Sequence, residues 1–418
     1  MTETEKYLDY LMMLRRPFQK LCRLRFLNPD GTTAYMIDNN PYNKRGKTFI
    51  AEGSLSMNWG NGQRRSASAR LDNINDEYTY QLGKLWFGTE IALDEGLVLS
   101  DGTDYYIQQG VFVIEEPEEA LRSADKTTTL KLSDKAAVLD GTLGGNLEAS
   151  YEVPIGTNIF TPITALLAED RGNGVPWDNV KPIFTEYYNN RYQTLPNGLD
   201  EVMTSSPFTF RVDGENGTRW QVIEGLADMV NAWVGYDQSG ALRIDPSQDD
   251  ILDAEKPVLW RFSLEEAQFL GASYRVKNKD VYNDFIVVGE QMSDYSQPKG
   301  RAQNLDLRSP TNVQTIGRKT KRINASGYGT DQMCIDRAVW ELKHASVLQR
   351  SVSISCTQIF HIDGNDIVEI VRTDKPGNPV ERHLIQGFSR PLAWAGEMTI
   401  EAVSVQDFPN ATVTDVDS

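Results

Sequence analysis

The residue types able to do chemistry are few and widely spaced in this 418-residue chain, which holds three His and three Cys. His361-Ile-Asp363 offers two metal-ligand types two positions apart. No third ligand stands near it, and the segment reads as a turn before the apolar run at 367–371. His344 falls on an expected helix and His383 on an expected strand, neither with a Ser or Cys partner in view. Cys22, Cys334 and Cys356 form no C-x-x-C pair and read as buried reduced thiols. Glu115-Glu116 sets two carboxylates together, as glycoside hydrolysis requires, but among 59 acidic residues adjacency says little. The pair reads as a solvated acidic turn before Pro117. Arg64-Arg65 is a basic pair in a strand-forming region, suited to a phosphate, to acidic neighbours or to a partner subunit. Trp59, Trp86, Tyr105 and Tyr106 offer a sugar platform or core packing, and core packing is the better reading. Gly327-Tyr328-Gly329 begins like a dinucleotide fingerprint, yet Gln332 occupies the third glycine position and no apolar strand precedes it. No Walker A, H-E-x-x-H, G-x-S-x-G or EF-hand pattern occurs. The residues thus assign no catalytic, cofactor-binding or metal site, and the expectation is a protein that is not an enzyme and has no cofactor.

Charge narrows the classes further. The chain has 42 Lys+Arg against 59 Asp+Glu, a net charge of -17. Holding nucleic acid by phosphate neutralisation needs clustered cations, so no stable nucleic-acid binding is expected. Hydrophobic residues make up 40%, and no window reaches the roughly 18 apolar residues of a membrane helix. At the N-terminus Arg15-Arg16 follows the apolar run, the reverse of a signal peptide, so the expected site of synthesis and assembly is a cytoplasm.

The elements that must position these residues are mainly strands. A helix is expected over residues 3–14. Residues 21–27 alternate, with Cys22, Leu24 and Phe26 on one face, and turn back through Asn28-Pro29-Asp30-Gly31 into a strand at 33–37. Leu55/Met57/Trp59 and Ala67/Ala69/Leu71 alternate on two strands joined across Gly60-Asn61-Gly62. Glycines at 88, 96, 102 and 110 punctuate short strands, the pattern of a small barrel or sandwich. Thr161-Pro162 predicts a helix start before 163–170. Val222, Ile223, Leu226, Val230 and Trp233 predict a helix that stops at Gly235. Ser263-Leu-Glu-Glu266 matches a capping box. Residues 171–218 read as turn-rich and 290–328 as a long loop. Thr330 caps a helix from 331 to about 350, the remainder is β, and the tail after Phe408 reads as unstructured. The fold class expected is mainly β with inserted helices (α+β). Two small β-barrel-like or sandwich domains would be joined by a helical connecting region. The expected divisions are an arm or helix at 1–18, a first β domain at 19–140, a helical and loop-rich middle at 141–235, a second β domain at 236–406, and a flexible tail at 407–418.

Several short patterns stand in order along the chain: Gly53-Ser-Leu-Ser-Met-Asn58 with Arg65-Ser-Ala-Ser-Ala-Arg-Leu-Asp72, and Leu85-Trp-Phe-Gly-Thr-Glu-Ile-Ala-Leu93 with Gly110-Val-Phe-Val-Ile114. They continue through Leu130-Lys-Leu-Ser-Asp134, Trp233-Val-Gly-Tyr-Asp-Gln-Ser-Gly-Ala-Leu242, Asn283-Asp-Phe-Ile-Val-Val-Gly289 and Met398-Thr-Ile-Glu-Ala402. Their order, over roughly residues 19–406, resembles the central hub proteins of phage tail tips and baseplates. That resemblance implies a homotrimer with two barrel-like domains per chain, a ring joining a sixfold tail tube to a threefold tip. The implied partners are a distal tail or tube ring, the tape measure and a tip or spike protein, with DNA passing through the ring. The implied location is the virion tail tip. The alternative reading is a carbohydrate-binding or carbohydrate-cleaving β protein of a phage tail.

Overall fold

The computed structural model describes all residues except 1, 40–48, 61, 74–75, 81–84, 87, 123–124, 173, 185–205, 207, 230–231, 247–254, 277–280, 292–294, 326–327, 347–349, 394–395, 406–408 and 417–418. Helix α1 (Glu3–Met13) opens on a capping box: the Thr2 hydroxyl accepts from the Glu5 amide, and the Glu5 carboxylate accepts from the Thr2 amide. β1 (Lys20–Leu27) and β2 (Thr33–Asp38) form the expected hairpin, with Gly31 at φ 79°. β3 (Phe49–Asn58), β4 (Arg65–Asp72), β5 (Glu90–Val98), β6 (Asp104–Arg122) and β7 (Asp125–Asp134) follow. Leu55, Met57 and Trp59 are buried together with Ala67, Ala69 and Leu71, as their alternation requires.

Two glycines do the opposite of what their sequence setting suggests. Gly96 and Gly110 lie inside β5 and β6 instead of ending them. Each stands where the chain packs too closely for a side chain. A Cβ at Gly96 would sit 1.8 Å from the Tyr105 carbonyl oxygen, and one at Gly110 would sit 2.7 Å from the Phe112 ring. Glu115-Glu116-Pro117 likewise lies within β6, not in a turn. β5 starts at Glu90, opposite Val113, so the missing N–H of Pro117 falls where, among the described residues, β6 pairs with β7 alone.

The middle of the chain holds β8 (Tyr151–Val153), α2 (Phe160–Ala168), β9 (Ile183–Phe184), β10 (Phe210–Val212), α3 (Arg219–Met229), β11 (Ala232–Tyr236) and β12 (Leu242–Pro246). Helix α2 starts before Thr161-Pro162, where the Asn158 side chain accepts from the Phe160 amide at 3.0 Å. Helix α3 ends earlier than its apolar spacing suggests. Trp233 and Gly235 belong to β11, which pairs with β12 across the 237–240 turn; Val230 lies outside the described residues. Gly235 is again a close approach, since its Cβ would lie 2.2 Å from Arg64 Nε.

The last part comprises β13 (Val258–Ser263), β14 (Phe269–Val276), β15 (Asp284–Val288), β16 (Lys299–Asn304), the single turn α4 (Val313–Ile316), β17 (Thr320–Asn324), α5 (Asp331–Ala345), β18 (Arg350–Cys356), β19 (Ile367–Val371), β20 (Val380–Pro391), β21 (Met398–Ser404) and β22 (Ala411–Val413). Ser263-Leu-Glu-Glu266 makes a tight connection between β13 and β14, with the Glu266 amide bonded to the Ser263 carbonyl, and starts no helix. The expected loop at 290–328 contains β16, α4 and β17. The stretch after Phe408 contributes β22, paired with β16. Polar composition hid both, because the sheet β17-β15-β16-β22 buries one face against α5 through Phe285, Val287, Ala302, Cys334, Ala338 and Leu342. Thr330 caps α5 by accepting from the Met333 amide.

Among the described residues the large sheet has 13 strands, in the order β14-β18-β21-β20-β3-β4-β7-β6-β5-β1-β2, with β19 on β20 and β13 on β19. The two β regions expected to stand apart are therefore joined. One edge of β20 carries both neighbours: Val371↔Val380 to Ile367↔Leu384 with β19, then Asn58↔Gly387 to Ser54↔Pro391 with β3. A bulge between Ile385 and Gly387, on the β21 side, marks the change. One hydrophobic cluster runs through both parts, from Leu24, Leu55 and Phe112 to Phe262, Ile354 and Ile400.

Gly96→Ala should destabilise the protein by about 1–3 kcal/mol, because the added methyl meets backbone that cannot turn aside. Urea unfolding of the purified variant measures it; an unchanged midpoint would mean that β5 and β6 are not packed this closely.

Candidate functional site

The polar residues brought together by the fold form a buried chain of charge across the two parts of the large sheet. Glu95 of β5 is fully buried. Its Oε1 lies 2.7 Å from Lys20 Nζ and its Oε2 2.6 Å from Arg390 Nε, and both cations are buried as well. Burial alone would raise the Glu95 carboxyl, but Arg390 and then Lys20 outweigh it and hold it below the ordinary range. Arg390 also donates to the Ile359 carbonyl at 2.8 Å and to the Gln109 side-chain oxygen. The Gln109 amide donates to the Phe360 carbonyl, and its backbone carbonyl accepts from Arg65 Nη1, both at 3.0 Å. Arg65 then grips Asp363 with Nη2 at 2.5 Å. The backbone amides of Arg64 and Arg65 both donate to Asp134, which also caps the 3-10 turn at Lys135–Val138. The Arg64 guanidinium stacks on Trp59 at 3.7 Å under Gly235, with Asp245 at 3.9 Å, and burial pushes it down to about 10.

A cleft of about 350 Å³ opens beside this chain, lined by Trp59, Asp237, Arg243, Lys256, Asp363 and Asp366 among others. Burial, with Asp363 adding to it, pushes the Asp366 carboxyl up to about 7. Asp366 Oδ2 accepts from the Asp363 amide at 2.6 Å, so the pair forms the turn that starts β19.

The other candidates do not converge. His361 has both ring nitrogens engaged, Nδ1 with the Tyr10 hydroxyl at 3.0 Å and Nε2 with the Leu259 carbonyl at 3.3 Å, while Asp363 is taken by Arg65. Among the described residues no three His, Cys, Asp or Glu side chains are placed to hold a metal. His344 bonds the Trp340 carbonyl on α5, and His383 is buried in β20 and pushed down to about 4 by that burial. All three cysteines are free and buried. Glu115 pairs with Lys131. Trp59 is core, Trp86 stacks on Tyr80 at 5.0 Å, Tyr105 packs on Tyr10 at 5.3 Å and Tyr106 lies under Arg23, so they build no common platform. Gly327 lies outside the described residues. No helix among the described residues is long and apolar enough to cross a membrane. The local reading of the sequence missed Lys20, Glu95, Gln109 and Arg390. For Lys20, Glu95 and Arg390 the one local signal is a charge on a strand with buried apolar neighbours; the neutral Gln109 gives none.

Two outcomes follow. Glu95→Gln leaves Lys20 and Arg390 buried without a counter-charge and should cost about 3–5 kcal/mol in chemical denaturation; a loss below 1 kcal/mol would mean that water reaches the triad. Asp366→Asn tests the raised carboxyl. Its folded value, about 7, lies above the ordinary 3.8, so the folded state holds the proton more tightly. The stabilisation is complete below pH 4 and disappears as pH rises to 7. His383 acts in the opposite sense over that window, so the readout is the Tm of wild type minus that of the variant. That difference should fall between pH 4.5 and 7.5, and a flat difference contradicts the raised value.

No family model matches the sequence, and no curated protein matches it. Solved structures do. A tail protein from Neisseria meningitidis MC58 superposes with a TM-score of 0.60 at 10% identity, over 92% of this chain and 97% of that one. The 43 kDa tail protein of prophage MuSo2 from Shewanella oneidensis gives 0.57 at 13% identity, over 92% and 98%. A chain of the Francisella PdpA–VgrG complex gives 0.54 at 9% identity, over 99% of this chain and 58% of that one. With nearly the full length of two tail proteins covered, the chain has the fold of these tail proteins.

Proposed function

We propose that the chain is a structural component of a phage tail tip or baseplate, a homotrimeric hub ring that joins a sixfold tail tube to a threefold tip. The observation that carries this reading is the end-to-end match with two tail proteins, over 92% of this chain and 97–98% of theirs. The large sheet supports it. In this reading its two parts, on either side of the β3–β20 junction, would each form one barrel-like unit, and three chains would supply the six that a sixfold tube requires. The neighbours in the particle would be the distal tail or tube ring, the tape measure and the tip or spike protein.

The role is mechanical, not catalytic. The buried charges serve each other, and the acidic surface suits a channel wall that repels DNA and lets it slide during ejection. A carbohydrate-binding role has less support, because the aromatic residues that would stack on a sugar are separated and partly buried. Antibody raised against the chain should label the tail tip of particles in electron micrographs, and the purified assembly should give a threefold ring by cryo-electron microscopy. Label on the capsid or along the tube, or a ring with a predominantly basic inner wall, would overturn the hub or the channel respectively.

A further inference from the structure

Two edge segments of this chain carry the same charge pattern with opposite sign. Glu115-Glu116-Pro117-Glu118-Glu119 lies on β6, and Arg318-Lys319-Thr320-Lys321-Arg322 runs into and along β17. Each is four charges in five positions, interrupted at the third. In a chain of net charge -17, four cations so close together run against the overall composition. The two segments belong to different sheets.

Among the described residues the strand of each segment has one hydrogen-bonded neighbour there. From Glu116 onward β6 pairs with β7, because β5 starts at Glu90, opposite Val113. β17, which begins at Thr320, pairs with β15. Some of the charges are used within the chain. Glu115 pairs with Lys131, Glu119 accepts from the Tyr80 amide, Arg318 faces Asp284 at 3.9 Å, and Lys321 lies over the Tyr282 ring. Glu116, Glu118, Arg318, Lys321 and Arg322 are nonetheless exposed. An edge lined with charge can simply keep strangers away. A guard, however, needs no matching of sign between one edge and another. The opposite signs on two edges are what a contact between copies requires.

We infer that the β6 segment of one copy docks against the β17 segment of a second copy, with Glu116 and Glu118 facing Arg318 and Arg322. Pro117 lacks an N–H, so this contact is carried by side-chain charge and not by an added strand ladder. The contact joins two different surfaces. It therefore runs head to tail and closes into a ring when the rotation between copies allows. This inference rests on the ring reading above and names the surfaces that would build it. Nucleic acid could satisfy the cations of β17 but gives the acids of β6 no partner.

The test is a charge swap in the full chain, read by sedimentation velocity at about 50 mM salt, with circular dichroism to confirm folding. Glu116→Arg with Glu118→Arg should lower self-association at least tenfold, and so should Arg318→Glu with Arg322→Glu. All four substitutions together restore opposite charges across the contact and should recover it. Raising the salt to about 500 mM should weaken wild type and the fourfold variant alike, because exposed ion pairs are screened. Either half-swap assembling as wild type does would overturn this contact and leave the ring reading intact. So would a fourfold variant that fails to recover although folded. A wild-type chain that stays monomeric at about 100 μM would overturn the contact as well, while labelling of the particle would still decide the hub reading separately. A 20-base-pair DNA that binds wild type and is lost with Arg318→Glu and Arg322→Glu, with no self-association, would assign the cations to phosphate instead.

Discussion

The burial of Glu95 between Lys20 and Arg390 is the constraint on which the rest of the fold turns. Three charges with essentially no exposure are tolerable only if each has its partner in place, since the desolvation of an unpaired charge is otherwise a large part of the stability of a whole domain. The partners come from β1, β5 and β20, elements that lie far apart in sequence. Through Gln109 and Arg65 the same chain of bonds reaches the turn at Asp363 that begins β19. A buried apolar face opposes a one-residue slip but not a two-residue one. A fixed ladder of charges opposes both, so the triad helps to set the register in which the two parts of the sheet meet.

That meeting is made by β20, which serves both parts along a single edge. The bulge at Ile385 turns the strand enough to leave β19 and take up β3, so a sheet too long to lie flat can curve over one continuous core. The small β15–β17 sheet with α5 and the helical middle around α2 and α3 keep their own cores.

Much of this was legible wherever one face of an element is dry and the other wet. The alternation at 21–27, 55–59 and 66–71, the turn at Asn28–Gly31 in numbers 28–31, and the Thr330 cap are all local, and the structure places strands, turn and helix there. Readings failed where a residue answers to something distant. Gly96, Gly110 and Gly235 look like punctuation but mark places where another strand, a ring or the Arg64 side chain comes too close for a Cβ. Trp233 continues the helical spacing of α3 by coincidence, while its backbone pairs with β12. β17 and β22 have too little apolar sequence to announce themselves, since each adds a short strand to a sheet whose core face is supplied by β15, β16 and α5. The charge triad was the hardest to see: Glu95 and Arg390 are 295 positions apart, and neither carries a motif.

The shared strand also bears on how the protein is made. β3 emerges early, but the edge from Ser54 to Asn58 pairs with Gly387 to Pro391. At ordinary rates of synthesis, on the order of 5–20 residues per second, those roughly 330 intervening residues take about 20–60 s. Tyr10 waits as long, since its hydroxyl bonds the Phe360 amide and His361. Through that interval the nascent chain carries an open strand edge and an undocked helix, with a buried-to-be carboxylate still missing one cation. Completion of this sheet is thereby tied to synthesis through Pro391, and a chain cut before that strand leaves the edge of β3 open.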